Sequence, residues 1–138
     1  MSQRTEEMRT YRVGDVLPAV TKTITQAKIK RYAEASGDHN PLHLDPAFAT
    51  TTQFGGTIAH GMLVLAYVSE MMTAAFGQAW LRGGRFKVRF RGAARPGDRV
   101  TASGRIVRDE GGKIFCDVEC RNQADDLLVS GDAEVRVR

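Results

Sequence analysis

"GMLVLAYVSEMMTAAF", residues 61–76, decides how this chain can fold. Its apolar residues lie on nearly every side of a helix rather than along one stripe, and such a helix must be covered all round. Ser69 and Glu70 interrupt it, and at about 16 residues it is short of the roughly 20 needed to cross a bilayer. The stretch therefore reads as the buried helix of a globular protein, running from about His60 to Phe76.

The chain after Gly77 supplies the cover. "GRFKVRF", "DRVTASGRIVRDE", "GKIFCDVECRN" and "LLVSGDAEVRVR" alternate as strands do, separated by "RGAARPGD", "EGG" and "QADD". With such short connections, consecutive strands are expected to pair antiparallel. An antiparallel sheet curled around one apolar helix is the arrangement these elements allow, an α+β fold.

Upstream, "YRVGDVL" reads as a short strand and turn, and "VTKTIT" as a β-branched strand. Thr25 can cap a helix through "QAKIKRYAEASG", with Ile29, Tyr32 and Ala33 on one face and Gly37 as its stop. Asn40–Pro41 signals a turn. Asp45–Pro46 is a cap and first position for a short helix over "PAFATTT", which "FGGT" at 54–57 breaks. Residues 1–10, "MSQRTEEMRT", are polar, lack the apolar run of a signal peptide and read as a flexible N-terminus. Residues 11–138 read as one domain.

Composition narrows the class. A length of 138 residues, 42% hydrophobic and 26% charged, suits a single soluble domain. The net charge of +4 suits an anionic ligand but is too small, unless clustered, to argue for nucleic acid. The two cysteines, Cys116 and Cys120, sit on one face of a strand roughly 13 Å apart. A disulfide needs Cα atoms within about 7 Å, so both read as buried free thiols of a reducing cytosol.

The densest chemistry lies in "SGDHNPLH", residues 36–43. His39 and His43 have the i,i+4 spacing of a zinc-binding helix, but Pro41 and Gly37 make this segment loop, so metal is not expected. Ser36, Gly37, Asp38, Asn40 and Pro41 are turn formers. That accounts for the bend but not for His43, which lies between Leu42 and Leu44 and needs a partner if buried. Asp38, five residues back across the turn, is the candidate. An acid–base pair and a structural pair fit equally well on this ground.

"YAEASGDHNPLHLDPAFA", residues 32–49, resembles the signature of the MaoC-like, or R-specific enoyl-CoA hydratase, family. The pattern is an aromatic, a short spacer, Ser-Gly-Asp, any residue, Asn-Pro, an aliphatic and His. Tyr32, Ser36, Gly37, Asp38, Asn40, Pro41, Leu42 and His43 fill it. "FGGTIAHGM" and the later "RPGD" are also similar to the family. The resemblance implies a single hot-dog fold, a sheet wrapped on one long helix. It also implies reversible addition of water to a trans-2-enoyl-CoA thioester, giving the (R)-3-hydroxyacyl product, with no metal or organic cofactor.

On that resemblance Asp38 and His43 hold one water as the catalytic pair, and Ser36, Gly37, Asn40 and Pro41 scaffold the loop. The Gly61 N–H, at a helix start, is the oxyanion donor, a role compatible with Gly61 serving tight packing, and Ser69 either lies near the thioester or bonds back along its own helix. His60 reads as a packing or hydrogen-bonding residue at the helix start. Leu65, Met71, Met72 or the 77–84 loop would close the acyl pocket.

Arg85, Lys87, Arg89 and Arg91 alternate with Phe86, Val88 and Phe90, so one strand face is basic. The stripe could hold the phosphates of coenzyme A, dock an acidic acyl carrier protein, or be a solvated face neutralised by Asp117 and Glu119. The aromatics face the other way, so a platform for stacking nucleic-acid bases is missing.

The sequence-based expectation is thus a cytoplasmic hydro-lyase acting on an acyl-CoA thioester, a homodimer by resemblance, with no nucleic-acid or membrane partner. A (3R)-hydroxyacyl-acyl-carrier-protein dehydratase with the same residues is the alternative. A non-catalytic acyl-thioester-binding subunit is a third reading, against which the intact Asp38 and His43 stand.

Overall fold

The computed structural model describes residues 11–137, so the expectation of a flexible segment over 1–10 lies outside the described residues. The elements in chain order are β1 (Val20–Thr23), α1 (Gln26–Ser36), α2 (Pro41–Leu44), α3 (Pro46–Thr50) and α4 (Gly61–Phe76). They continue with α5 (Gln78–Gly83), β2 (Gly84–Phe90), β3 (Arg99–Glu110), β4 (Lys113–Arg121) and β5 (Leu127–Arg136).

The strands form one five-stranded antiparallel sheet in the order β1-β3-β4-β5-β2. Period-two alternation turns Val100, Ala102 and Ile106 of β3 inward, with Ile114, Cys116, Val118 and Cys120 of β4 and Val129, Ala133 and Val135 of β5. They meet Leu63, Val64, Val68, Met71, Met72, Ala75 and Phe76 of α4 in one core. Burying each large aliphatic side chain there contributes about 1.5–3 kcal/mol, so the apolar helix and the inner sheet face stabilise one another. Cys116 and Cys120 are free and buried. Burial, aided by the neighbouring Asp117 and Glu119 carboxylates, pushes their thiols up to about 12 and about 11.

Local signals set most boundaries. Thr25 Oγ1 accepts from Lys28 N and caps α1, while Gly37 ends it in the left-handed region at φ 79°. Asp45 Oδ1 accepts from Ala47 N and Phe48 N and caps α3.

Five expectations are corrected. First, β2 does not pair with β3. It lies at the far edge against β5, with Phe86 opposite Ala133 and Val88 opposite Gly131. A Cβ on Gly131 would run into the Lys87 carbonyl, so the glycine lets β2 close there. Second, "YRVGDVL" forms no strand. Only Val16 bridges, to Arg105, because Gly14 turns the chain at φ 96°. Third, α4 is not covered all round: Met62, Ala66, Glu70 and Ala74, spaced by four, stay outside the core. Fourth, the expected 77–84 loop holds α5, whose Trp80 is buried in the core. Fifth, Asn40–Pro41 does not merely turn; Asn40 caps α2 and Pro41 takes its first position, where no N–H is needed.

Among the described residues, no helix is long and apolar enough to cross a membrane.

Candidate active site

The segment between α1 and α2 is a ladder of short polar side chains reaching the backbone two residues on. Asp38 N donates to Ser36 Oγ (3.2 Å), Asn40 N to Asp38 Oδ1 (3.2 Å) and Leu42 N to Asn40 Oδ1 (2.9 Å). Each step is the local turn that Ser, Asp and Asn favour. Gly37 supplies the left-handed residue before it and Pro41 the fixed φ after it, so the chain bends back within a few residues.

His43, on α2, is 9% exposed. Its Nδ1 lies 2.8 Å from the Ile58 carbonyl oxygen. A carbonyl only accepts, so Nδ1 carries the hydrogen, and in the neutral ring Nε2 keeps its lone pair. The neighbouring backbone is held as well: Ile58 N donates to Leu42 O (3.3 Å) and Gln26 Nε2 to the His43 carbonyl (2.8 Å). Thr57 donates its hydroxyl to Gln26 Oε1 (2.8 Å), so Gln26 of α1 joins the His43 backbone to the 57–58 segment. Ala59 N donates to Ala94 O, which brings the loop after β2 alongside.

Asp38 is exposed while His43 and His60 are buried, and one ligand atom of each lies within 4.8 Å of the others. Separations up to that limit are within the reach of one bridging water, which with two hydrogen bonds of about 2.8 Å at a near-tetrahedral angle joins partners about 4.6 Å apart. The arrangement suits a metal ion poorly. The His43 and His60 rings are stacked, with centroids 3.8 Å apart and planes at 25°. An imidazole lone pair lies in its ring plane, and two near-parallel planes do not converge on one ion next to both rings.

Of the three, His43 lines a cavity of about 530 Å³ together with Gly61, the exposed Arg91 and the apolar Phe54, Met62, Val64 and Phe90, whereas Asp38 and His60 are not among its lining residues. Gly61 is the first residue of α4, and its N–H has no protein partner among the described residues. A helix start supplies such free donors and the positive end of the helix dipole. Phe90 lies across Gly61, so that a Cβ there would stand 2.9 Å from Phe90 Cδ1.

Not every anticipated residue joins this group. Ser69 does not line the cavity; its hydroxyl accepts from Trp80 Nε1 at 2.9 Å. Eight residues along a helix leave about 80° of rotation and about 12 Å of rise, so Ser69 faces α5 rather than the Gly61 end. Met71 and Met72 are core residues, and Leu65 packs against the core; none of the three walls the cavity.

The basic stripe divides. Arg85 pairs across β5 with Glu134, Lys87 with Asp132 and Arg89 with Ser130. The facing acids are thus Glu134 and Asp132 rather than Glu119 and Asp117, which lie one strand further on. Arg91 alone of the four reaches the cavity, its Nε donating to Ser130 Oγ at 3.2 Å.

His60 and Gln26 are the residues that sequence reasoning left outside the site. Both come from far along the chain, and nothing local marks them.

Comparison with known proteins bears on the family and the fold. A 3-hydroxyacyl-thioester dehydratase Z of Mycobacterium tuberculosis is 38% identical over 89 residues, 62% of this chain and 59% of that relative. An (R)-specific enoyl-CoA hydratase of Aeromonas caviae is 33% identical over 121 residues, 86% of this chain and 90% of that relative. The unliganded R-hydratase PhaJ1 of Pseudomonas aeruginosa superposes with a TM-score of 0.81 at 30% identity, over 92% of this chain and 82% of that one. The family model of the MaoC like domain matches residues 9–126, a span that holds the polar ladder, His43, the α4 start and four of the five strands. By its sequence over that span and by the sheet wound on α4, the chain belongs to the MaoC-like domain family.

Proposed function

We propose that this chain is a hydro-lyase that adds water reversibly to a trans-2-enoyl-CoA to give the (R)-3-hydroxyacyl-CoA, with Asp38 and His43 activating the water. The observation that carries the reading is the tautomer of His43. Its Nδ1–H is committed to the Ile58 carbonyl, which leaves Nε2 as the ring nitrogen free to act, and a ligand atom of His43 lies within 4.8 Å of one of Asp38.

Water is a poor nucleophile and needs a base as it attacks. Its oxygen bonds to C3 while a proton passes to the Asp38–His43 pair. The C2=C3 electron pair moves toward the thioester oxygen, and C2 then takes a proton from the same pair. The thioester oxygen becomes anionic on the way, and the free Gly61 N–H at the head of α4 is the donor that meets it. The apolar cavity walls exclude other water and accept an acyl chain. Arg91, at the rim, is the member of the basic stripe placed for a phosphate of the pantetheine carrier, with Arg89 next along the strand.

The reverse reaction on a carrier-protein thioester uses the same atoms and is the second reading, favoured by the thioester dehydratases among the relatives. We place residues 11–138 in one domain and expect a homodimer. Phe90 and Met62, 52% and 55% exposed beside the cavity, and the open edge of β2 leave a surface that a second copy would cover. Two free buried thiols suit a reducing cytosol.

The test is hydration of crotonyl-CoA by wild type, Asp38→Asn and His43→Gln, with chiral analysis of the product. Each variant is expected to lose about 10²–10⁴-fold in kcat. Full activity in either would sink the assignment, and an inactive wild type on CoA and carrier thioesters of several lengths would leave only thioester binding.

A further inference from the structure

His60 is 3% exposed, and two features make it a poor choice for stability alone. It occupies the N-cap of α4 yet makes no side-chain cap bond, at a position where Ser, Thr, Asp or Asn stabilises a helix. Its Nδ1 is also buried without a hydrogen-bond partner among the described residues. An orphaned acceptor in an apolar setting is destabilising, and a phenylalanine would stack there without it.

The rest of the ring explains both. Nε2 lies 3.0 Å from the backbone carbonyl oxygen of Asp38, so Nε2 carries the hydrogen and donates it. One face of the ring stacks on His43, and Tyr32 packs against it with ring centroids 4.9 Å apart at 58°. His60 is thus held between Tyr32 of α1 and His43 of α2 while it tethers the Asp38 backbone. The two histidines carry opposite tautomers, Nδ1–H on His43 and Nε2–H on His60, each set by a carbonyl.

We propose that His60 is a positioning residue for the acid–base pair: one ring sets the distance between Asp38, through its carbonyl, and His43, through the stack. The inference rests on the assignment of Asp38 and His43 as the pair that activates water. The loop carrying Asp38 is exposed, and its own polar ladder ties it along the chain to α2 but not to α4. The His60 donor supplies that second anchor from the head of α4, the same helix start that presents the Gly61 N–H. Acid, base and oxyanion donor are then referred to one rigid point.

His60→Phe keeps a ring in the stack and removes both the orphaned nitrogen and the donor, while His60→Gln restores a donor at the reach of Nε2 with no ring. If positioning is the role, His60→Phe folds with a melting temperature at or above that of wild type. It loses about 10–100-fold in kcat on crotonyl-CoA, the scale typical of residues that orient a reacting group, with KM little changed. His60→Gln recovers part of the loss.

A second readout needs no turnover. Long-range 15N–1H spectra of the imidazoles should show the single Nδ1–H tautomer of His43 in wild type, and exchange between tautomers together with shifted Asp38 and Asn40 amides in His60→Phe. Unchanged kcat in His60→Phe, or unchanged His43 and Asp38 signals, would overturn the proposal. So would a His60→Gln variant no better than His60→Phe, since the donor would then not matter. If wild type proves inactive on every thioester, the catalytic reading falls, and the spectra still decide whether His60 positions the pair.

Discussion

Gly61→Ala separates packing from chemistry at the head of α4. The added methyl would stand 2.9 Å from Phe90 Cδ1 and 3.0 Å from Cε1. Carbon pairs prefer about 3.5–4.0 Å, so the ring must retreat by about 0.5–1 Å. Phe90 is half exposed and has room to turn outward. Gly61 is not in the left-handed region, so alanine fits its backbone, and the loss of unfolded-state freedom, about 0.4–1 kcal/mol, offsets much of the strain. Stability should therefore change little, moving the melting temperature by less than about 5 °C.

Activity should not be spared in the same way. The methyl stands beside the N–H proposed to meet the thioester oxygen, and losing one such donor costs about 10²–10³-fold in kcat. The assay is the initial rate of crotonyl-CoA hydration, measured by loss of the enoyl-thioester absorbance, paired with a thermal melt. A Phe90→Ala background removes the crowding: a loss caused only by the displaced ring would vanish there, whereas a blocked donor would persist. A Gly61→Ala enzyme within about threefold of wild-type kcat would refute the oxyanion role. A melting temperature lowered by more than about 10 °C would refute the reasoning that the ring can retreat.

Ser69→Ala leaves Trp80 Nε1 without its acceptor in the core, so it should lose about 1–3 kcal/mol in urea unfolding and keep most of its kcat; a large fall in kcat at unchanged stability would return Ser69 to the thioester. Arg91→Ala should raise KM for a CoA substrate and flatten its dependence on salt, whereas Lys87→Ala, opposite Asp132, should change neither; equal effects in both variants would point to the stripe as a whole. The raised Cys116 and Cys120 values mean that the folded state keeps thiol protons that the unfolded chain loses above its ordinary 9.0. Stability should then fall as pH rises from about 9 toward 11–12, and Cys116→Ala should flatten that slope in urea midpoints taken across pH 8–10.5. A slope identical to wild type would show that other groups drive it.

The chain determines by itself whatever acts over a few residues. Thr25, Gly37 and Asp45 set helix ends because caps are local hydrogen bonds. The Ser36–Asp38–Asn40 ladder bends the loop by the same means. Alternation in β4 turned both cysteines inward, and the apolar length of α4 required a sheet around it. The tertiary structure decided whatever depends on distant partners. β2 pairs with β5 rather than β3, whose two edges are taken by β1 and β4, and the space at Gly131 admits it. That choice set Glu134 and Asp132 against Arg85 and Lys87 and left Arg91 at the cavity rim. Ser69 faced Trp80 because an unforeseen helix put that indole within reach. Above all, His60 stands 22 residues from Asp38 along the chain yet bonds to its carbonyl. Propensity and periodicity carry no information across such a separation; only the seating of His60, at the head of α4, against Tyr32 and His43 brings the three rings and the carboxylate together.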